Sequence, residues 1–349
     1  MIDNSSQWLI QQIQQIPQGS NLWCCDENLL DQLPSALPDA QKPRFISNRW
    51  DIAKQATELG FNSEFSDFDL SLIEDNSIDH FFYRISKEKA VTHHLINQAL
   101  RILKPQGSLL LCGQKNEGIK TYIEKACALL GSDKKIHKDG ANYFSSITKR
   151  ADAGQPLNDE DYPQLRTCLS VAKQLVYSKP GQFGWNKIDQ GSDFLITEID
   201  RIYAQQNSTI ANCLDLGCGY GFLSIASRHL PIAQRVLTDN NAAALASARR
   251  NCEQLGLTAD IIPSDAGQQL TGQFALILCN PPFHQGFSVD GDLTDKFLRN
   301  AKRLLAPQGT AYFVVNQFIP LQKKALPHFP SINLLSQNKS FKIIELRHS

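Results

Sequence analysis

The sequence predicts an α/β protein made of two tandem Rossmann-like domains that arose by duplication. At 349 residues the chain exceeds the usual size of one hydrophobic core. Ala99–Gly107 matches Ala301–Gly309 at six of nine positions, and each copy has a helical pattern before a Pro-Gly turn and an apolar strand pattern after it. Upstream, Arg44–Asn48 and the helix pattern that follows it match Arg235–Asp239 and its own helix. Any two α/β domains can share such turns, but two repeats in the same order favour duplication.

The repeat and the composition define the domain boundaries. We assign 1–150 to an N-terminal domain, 151–180 to a linker and 181–349 to a C-terminal domain. The linker is marked by the acidic and proline-containing stretch Asn158–Pro163. We expect one short helix within it, near Gln164–Leu175.

Composition restricts the class of protein. Thirty-five basic residues balance 35 acidic ones, so net charge does not predict a nucleic-acid partner, and any RNA contact must come from local patches. Nine cysteines without C-x-x-C spacing, and no secretory signal or apolar span, predict a reduced, cytoplasmic protein outside the membrane. We predict no metal site, and we expect a monomer because a duplicated chain supplies internally what a homodimer would otherwise supply. Two sets of basic residues are either solvated surface or RNA contacts: Lys134, Lys135, Lys138, Lys149 and Arg150, and Lys323 and Lys324.

A glycine-rich turn in the second half predicts a nucleotide-like cofactor. The apolar strand Cys213–Leu216 carries Asp215, and Gly217, Gly219 and Gly221 follow before a helical pattern. A strand, a glycine turn and a helix in this order place a ligand at the carboxyl end of a parallel sheet. A dinucleotide is one alternative. Asp215 instead favours S-adenosylmethionine, because an acid there would repel a pyrophosphate but attract the cationic methionyl end.

Two further strand ends supply candidate cofactor ligands. Asp239, followed by Asn240, ends a strand where a carboxylate can bind both ribose hydroxyls. Asp239 could equally cap the next helix, and Asn240 or Asn241 could do so in its place. Asp265 is placed to accept a hydrogen bond from an adenine amino group, with the backbone of Ala266 facing the ring. Asp265 could also be an ordinary surface turn residue.

The segment Asn280-Pro281-Pro282-Phe283 predicts a pocket for an amino group. It closes the apolar strand Phe274–Cys279. The Asn280 side chain and the Pro281 carbonyl can each accept a hydrogen bond from an exocyclic amine, and the two prolines fix the backbone. Phe283 can stack on the ring that carries the amine. The alternative is a rigid turn that serves only the fold.

The first half lacks these features. Opposite Leu214–Gly219 it has Trp23–Asn28, which contains no glycine, and opposite the Asn280 segment it has Phe82–Ile85. We therefore expect the N-terminal domain to be a degenerate copy without a cofactor site, which stabilises the pair and helps to dock RNA.

Three motifs together resemble those of the bacterial ribosomal RNA guanine-N2 methyltransferases, most closely the small-subunit (16S) enzymes. They are Asp215–Gly221, Asn280–Gly286, and Lys179–Gly184 with Asp189–Ser192. The resemblance implies a degenerate N-terminal methyltransferase-like domain and a catalytic C-terminal one. It also implies S-adenosylmethionine as cofactor and, as partner, ribosomal RNA in the small subunit or its assembly intermediate. We expect Phe183 and His284 to position the substrate. Trp185 departs from the pattern, since a basic residue is expected there.

The predicted function is therefore methyl transfer from S-adenosylmethionine to the N2 amine of a guanine in 16S rRNA. Two alternatives remain open from the sequence. One is guanine-N2 methylation of large-subunit (23S) rRNA. The other is a non-catalytic RNA-binding assembly factor that keeps the cofactor fold.

Overall fold

The computed structural model describes residues 4–16, 18–29, 32–34, 37–150, 154–171, 173–204, 209–282, 284–285, 288–289 and 291–349. The chain divides into two compact units, Met1–Gln164 and Leu165–Ser349. The division falls inside the segment predicted as a linker. No helix in the described ranges combines the length and the apolar character that a bilayer span requires.

The N-terminal unit is built around one mixed sheet. Its strands are β1 (Asn21–Cys25), β2 (Arg44–Ser47), β3 (Ser63–Phe65), β4 (Ile78–Arg84), β5 (Leu103–Gln114), β6 (His137–Asp139) and β7 (Asn142–Thr148). Its helices are α1 (Asn4–Gln15), α2 (Trp50–Glu58), α3 (Lys89–Ile102) and α4 (Ile119–Leu130). Within the described residues the strand order is β3-β2-β1-β4-β5-β7-β6. The first five strands are parallel, and β7 and β6 are antiparallel to their neighbours.

The C-terminal unit begins with a β-hairpin and continues as a second sheet with helices between its strands. The strands are β8 (Arg166–Val171), β9 (Gln174–Ser178), β10 (Ile210–Leu216), β11 (Ile232–Asp239), β12 (Asp260–Pro263), β13 (Phe274–Cys279), β14 (His284–Gln285), β15 (Ser288–Val289), β16 (Leu305–Asn316), β17 (Ser331–Gln337) and β18 (Phe341–Arg347). The helices are α5 (Gln190–Tyr203), α6 (Phe222–Ala226), α7 (Ala242–Leu255), α8 (Gly291–Leu304) and α9 (Leu321–Ala325). The order of the large sheet, in the part of the chain that is described, is β12-β11-β10-β13-β16-β18-β17.

The two sheets repeat one topology. Counted from the first strand of each, the order is the same, with two final strands that are antiparallel. The predicted fold class, two tandem Rossmann-like domains, is confirmed.

The repeated Pro-Gly segment lies within a strand rather than between a helix and a strand. Leu103 pairs with Ile78 and Ser108 with His80, so the residues between them form a bulge. The C-terminal copy has the same irregularity, between the pairs Phe274–Leu305 and Leu276–Thr310. The predicted turn is therefore a bulge in β5 and in β16.

The helix predicted near Gln164–Leu175 is wrong. The residues there form the hairpin of β8 and β9, joined in antiparallel register. Asn251 of α7 holds this hairpin, because its side chain accepts a hydrogen bond from Tyr177 N at 2.6 Å and donates one to Tyr177 O at 2.9 Å. Contacts from outside the segment thus decide its conformation, as is common for short strands.

Apolar residues cover both faces of the C-terminal sheet. Along β13, Ile277 and Cys279 belong to one buried cluster, and Leu276 and Leu278 belong to the other. Strands that are buried on both faces need helices on both sides. Only the strand ends then remain for polar chemistry, and the candidate site lies at the carboxyl ends of β10, β11, β12 and β13.

Candidate active site

The glycine turn after β10 leaves space for a ligand. Gly219 has a φ of +54°, and a Cβ at this position would meet no atom within 4 Å. Gly221 has a φ of +89°, and its Cβ would lie 3.3 Å from Leu237 Cδ2. Both conformations favour glycine. The N–H groups of Gly217 and Cys218 donate to the Thr238 carbonyl at 2.9 Å, which fixes the turn against β11.

Asp215 is a buried carboxylate with one unsatisfied oxygen. Its side chain is 1% exposed, and Oδ2 accepts hydrogen bonds from Ser224 Oγ at 2.7 Å and Ser224 N at 3.0 Å. Oδ1 is buried and has no hydrogen-bond partner among the described residues. The pKa of Asp215 is raised to about 7, mainly by burial and to a smaller extent by the nearby Asp239 charge, while the Ser224 bonds oppose the shift. A buried, unsatisfied carboxylate oxygen fits a cationic ligand group, as the predicted cofactor would supply.

Asp239 connects the glycine turn to the end of β11. Its Oδ2 accepts from Gly219 N and its Oδ1 from Asn241 N, each at 2.9 Å. The helix cap, left open by the sequence, is Asn241, whose Oδ1 accepts from Ala243 N at 2.8 Å and Ala244 N at 3.2 Å. Asp239 is thus not needed as a cap, and a carboxylate keeps further acceptor sites for hydroxyl groups.

The remaining predicted cofactor ligands lie next to these residues or at the end of β12. Asn240 is buried directly after Asp239. Asp265 is buried and forms an ion pair with Lys296 of α8. Ala266 is buried and has a φ of +48°. Because Lys296 already engages the Asp265 carboxylate, an adenine amino group would have to share it or displace the lysine.

Asn280 is held in one orientation at the end of β13. Its Nδ2 donates to Asp189 Oδ1 at 2.7 Å and to Ser192 Oγ at 2.8 Å. These two bonds use both amide hydrogens. Asn280 Oδ1 is therefore left as an acceptor, and no residue in the described ranges donates a hydrogen bond to it.

Asp189 and Ser192 are functional candidates to which the sequence assigned no role. Asp189 is the N-cap of α5 and accepts from Ser192 N at 2.9 Å through the same Oδ1 that binds Asn280. The spacing of an N-cap Asp and a Ser three residues later was visible in the sequence. Their contact with Asn280 was not, because it joins residues about 90 positions apart.

The prolines after Asn280 lie at the same edge. Pro281 is buried and Pro282 is exposed. Phe283 lies outside the described residues. His284 begins β14, and its side chain lies outside the described part.

The loop from Lys179 to Asp189 crosses the site. The Gly181 carbonyl accepts from Asn241 Nδ2 at 2.9 Å, and Asp189 binds Asn280 at the other end. Because β10 lies between β11 and β13, the loop passes over the glycine turn. Phe183, predicted to position the substrate, is 79% exposed on this loop.

In the N-terminal unit the equivalent edge is occupied by its own side chains. The residue in register with Asn280 is Ile85 when the neighbouring strand β1 is the reference and Arg84 when β5 is, and both residues are buried. Arg84 forms a buried ion pair with Glu117 at 2.7 Å. Asp26, after β1, accepts hydrogen bonds from Asn28 N at 3.0 Å and Asn28 Nδ2 at 2.9 Å, and burial raises its pKa to about 6.

Two family models match the chain. The model described as "Methyltransferase small domain" matches residues 173–345, and "Methyltransferase small domain N-terminal" matches residues 6–142. Together they cover most of the chain. The chain belongs to the methyltransferase small domain family.

Named relatives of this methyltransferase small domain chain extend over most of its length. "Ribosomal RNA small subunit methyltransferase C" of Shewanella pealeana is 28% identical over 279 residues, which is 79% of each protein. The protein of the same name from Haemophilus influenzae is 27% identical over 326 residues, or 92% of each. The family predicted from the three sequence motifs is confirmed.

A solved structure shares the whole fold of this methyltransferase small domain chain. It is the T. thermophilus 16S rRNA N2 methyltransferase (RsmC) in complex with AdoMet and guanosine. Its TM-score is 0.82 at 21% sequence identity, and the match covers 99% of this chain and 92% of the other. The likeness extends over both units of the fold.

Substitution of Asp215 by Asn should weaken binding of the cofactor without destabilising the fold. Asn can still accept the Ser224 bonds but carries no charge, so affinity for S-adenosylmethionine should fall on the order of 10- to 100-fold. Calorimetry should give one site per wild-type chain and greatly weakened binding for D215N. Binding of D215N within a few-fold of wild type would contradict a cation-binding role.

The same variant should be more stable than wild type without ligand, in a pH-dependent way. The folded pKa of Asp215, about 7, lies above its usual value of 3.8. Burying the ionised Asp215 therefore lowers the free energy of unfolding only above about pH 4. The loss grows by up to roughly 1.4 kcal/mol per pH unit and reaches its full value above about pH 7. Denaturant unfolding from pH 4 to 8 should show this growing gain for D215N and none for the exposed control D161N.

Proposed function

We propose that the protein transfers a methyl group from S-adenosylmethionine to the exocyclic N2 amine of a guanine in 16S ribosomal RNA. The observation that carries this proposal is the fixed orientation of Asn280, which leaves its Oδ1 as an acceptor at the same sheet edge as Asp215 and the glycine turn. The names of the relatives support ribosomal RNA of the small subunit as the substrate class. The solved relative, in complex with AdoMet and guanosine, supports the pairing of this cofactor with a guanine.

The cofactor side of the site is formed by residues of β10, β11 and β12. Asp215 Oδ1 would accept from the cationic methionyl end, and the open Gly219 allows close approach to the backbone. We assign the ribose hydroxyls to Asp239, with Asn240 beside it, and the adenine to Asp265 and Ala266. When bound, the cofactor supplies a methyl group attached to a sulfonium sulfur. The sulfur keeps the bonding electrons when the methyl group is transferred.

The substrate side is formed by the segment that begins at Asn280. The two N–H groups of the amine donate hydrogen bonds to Asn280 Oδ1 and the Pro281 carbonyl, which directs the nitrogen lone pair along the line of attack. No strong base is required, because the proton leaves after the methyl group is transferred. The protein therefore contributes alignment and exclusion of water. We assign stacking on the guanine to Phe283 and positioning to Phe183, Pro282 and His284.

The domains have different proposed tasks. We assign catalysis to the C-terminal domain, 181–349, and stabilisation and RNA docking to the N-terminal domain, 1–150, whose strand-end positions are filled by its own side chains. The linker is 151–180. Since a guanine must leave its stack to enter the pocket, an isolated small subunit or an assembly intermediate is the proposed substrate form. We propose a monomer that acts in the cytoplasm without a membrane partner.

The two alternatives receive less support. The relatives described above are named for the small subunit, which disfavours the large one. A non-catalytic assembly factor would not need two side chains devoted to orienting Asn280.

Methyl transfer to isolated subunits tests the proposal. The protein is incubated with tritiated S-adenosylmethionine and purified 30S or 50S subunits that lack the modification, and the RNA is digested to nucleosides. We expect N2-methylguanosine from 30S subunits. The same product from 50S subunits alone would favour the 23S alternative, and no transfer to either would favour the non-catalytic role.

Replacing Asn280 by Ala should remove catalysis and leave the cofactor site intact. Loss of one acceptor misaligns the amine, so kcat should fall by about 10²-fold or more, while affinity for S-adenosylmethionine stays within a few-fold. Single-turnover methylation and calorimetry measure the two quantities. N333A, which removes an Asn from β17, is the matched control. A nearly active N280A enzyme would exclude the amine-holding role.

Ser192 should act through the orientation of Asn280. S192A removes one of the two acceptors of the amide, so kcat should fall roughly two- to tenfold, in line with one hydrogen bond of about 0.5–1.5 kcal/mol. S192T keeps the hydroxyl and should restore kcat, while KM for S-adenosylmethionine is unchanged in both. Equal losses in S192A and S192T would indicate a packing role instead.

A further inference from the structure

We propose that a basic surface beside the Asn280 site binds the single-stranded RNA that flanks the target guanine. This strand-binding face consists of Phe318, Lys323, Lys339 and Lys342. The inference rests on the proposed function for the identity of the guanine, but the surface itself is defined by charge, exposure and contacts within the C-terminal unit.

Charge is distributed unevenly along a neutral chain. From residue 296 to residue 344 there is no Asp or Glu, whereas eight basic residues occur. They are Lys296, Arg299, Lys302, Arg303, Lys323, Lys324, Lys339 and Lys342. Because basic and acidic residues are equal in number overall, acidic residues must exceed basic ones in the rest of the chain. A phosphate backbone would therefore be drawn to this segment.

The four basic residues on α8 already have partners. Lys296 pairs with Asp265, and Arg299 with Asp295 at 3.3 Å. Lys302 lies 2.9 Å from His348 Nδ1. Arg303 donates to backbone carbonyls of the segment after β12 at 2.8 Å. These charges serve the fold.

The lysines of the strand-binding face are different. No acidic residue within the described ranges forms an ion pair with Lys323, Lys339 or Lys342, and the first two are exposed. Phe318 is 90% exposed, the highest fraction among the exposed large apolar side chains of the described residues. An exposed ring among unpaired lysines combines a stacking surface with phosphate contacts, which is how proteins bind single strands.

Hydrogen bonds join the two loops that carry this face. Gln317 N donates to Ser340 O at 2.8 Å, and Gln317 Nε2 also donates to the Asn338 carbonyl. Asn338 Oδ1 accepts from Ser340 N and Phe341 N, each at 2.8 Å. The loop after β16, which bears Phe318, and the turn before β18, which bears Lys339, therefore form one surface.

A short chain of contacts connects this surface to Asn280. A Cβ added to Gly191 would lie 3.0 Å from the Phe341 ring and 3.1 Å from Asp189 Oδ1. The Phe341 ring thus packs at the start of α5, beside the residue that binds Asn280. Phe341 N also donates to Asn338 of the turn that bears Lys339, so the turn and the Asn280 site are connected through this residue. A strand bound by the face would continue from the base held at Asn280.

The basic cluster of the N-terminal unit is a weaker candidate. Lys134 pairs with Glu124, and Arg150 with Asp133 at 2.8 Å. Lys149 donates to Asn76 Oδ1 and to the Leu103 carbonyl, each at 2.7 Å. Three of its five charges are thus committed within the unit.

Salt-dependent RNA binding tests the face. A fluorescein-labelled single-stranded RNA of about 20 nucleotides is titrated with full-length protein at several salt concentrations, and anisotropy gives the affinity. K339Q/K342Q should weaken binding at least fivefold near 0.1 M salt and reduce the slope of log K against log salt by about 1.4, since each single-strand phosphate contact contributes roughly 0.7. F318A should weaken binding about tenfold without changing the slope, because stacking releases no counterions.

The control removes two exposed charges elsewhere in the same unit. R201Q/R249Q changes residues on α5 and α7, and its affinity and salt slope should equal those of wild type. Thermal unfolding and cofactor binding establish that each variant is folded. Wild-type affinity and slope in K339Q/K342Q would overturn the proposal, as would equal losses in R201Q/R249Q.

The methyl-transfer assay separates this proposal from the proposed function. If wild type forms no N2-methylguanosine but K339Q/K342Q still loses RNA affinity, the RNA-binding role of the face is supported and the proposed methylation is wrong. If wild type methylates 30S subunits and both lysine and Phe318 variants bind RNA normally, the function stands and the face is wrong.

Discussion

The hydrogen bond between Asp189 and Asn280 is the contact on which the candidate site depends. It connects the first turn of α5 to the end of β13, and Ser192 adds a second bond to the same amide. One carboxylate oxygen caps the helix and orients the Asn280 side chain, so the position of the helix and the orientation of the amide are set together. The same contact anchors one end of the loop over the glycine turn. Asp189 therefore fixes the start of the helix, the end of the loop and the orientation of Asn280 together.

Asp215 shows how the site is maintained at the expense of stability. A carboxylate that is buried with one unsatisfied oxygen disfavours the folded state at neutral pH, because its charge is desolvated. The surrounding apolar strands of the sheet provide the excess stability that allows this. A cationic ligand would supply the missing partner, so binding and the relief of this cost are the same event. In the N-terminal unit the buried Arg84 at the corresponding edge has its own internal partner, Glu117. The two copies of the fold thus differ in one respect: the buried Arg84 has a partner inside its own unit, whereas one oxygen of the buried Asp215 has no partner among the described residues.

The sequence predicted the features that depend on local pattern. The strand Phe274–Cys279 was placed correctly to the residue, because its apolar run ends at a proline pair that cannot continue a ladder. The glycine turn and the repeated topology were also predictable. Positive φ favours glycine, and the alternation of helices and strands is visible as alternating helical and apolar strand patterns. Gln164–Leu175 was misassigned because its hairpin is held by Asn251, a contact from another element. The bulges in β5 and β16 were missed because a Pro-Gln-Gly segment predicts an interruption of regular structure but not whether the same strand continues after it.

Site contacts between distant residues were the least predictable part. The motif around Asn280 indicated an amine-binding segment, but which amide atom is left to accept a hydrogen bond follows only from Asp189 and Ser192, about 90 residues away. The same holds for Asp265, whose pattern suggested an adenine ligand and whose carboxylate meets Lys296 of α8. If Asp265 binds the adenine as proposed, that ion pair links cofactor binding to the helix that follows the Asn280 segment. If an adenine amino group competes with Lys296 for Asp265, binding the cofactor changes the constraint on α8 and thereby on the segment that receives the base. The order in which cofactor and RNA enter would then follow from one shared carboxylate.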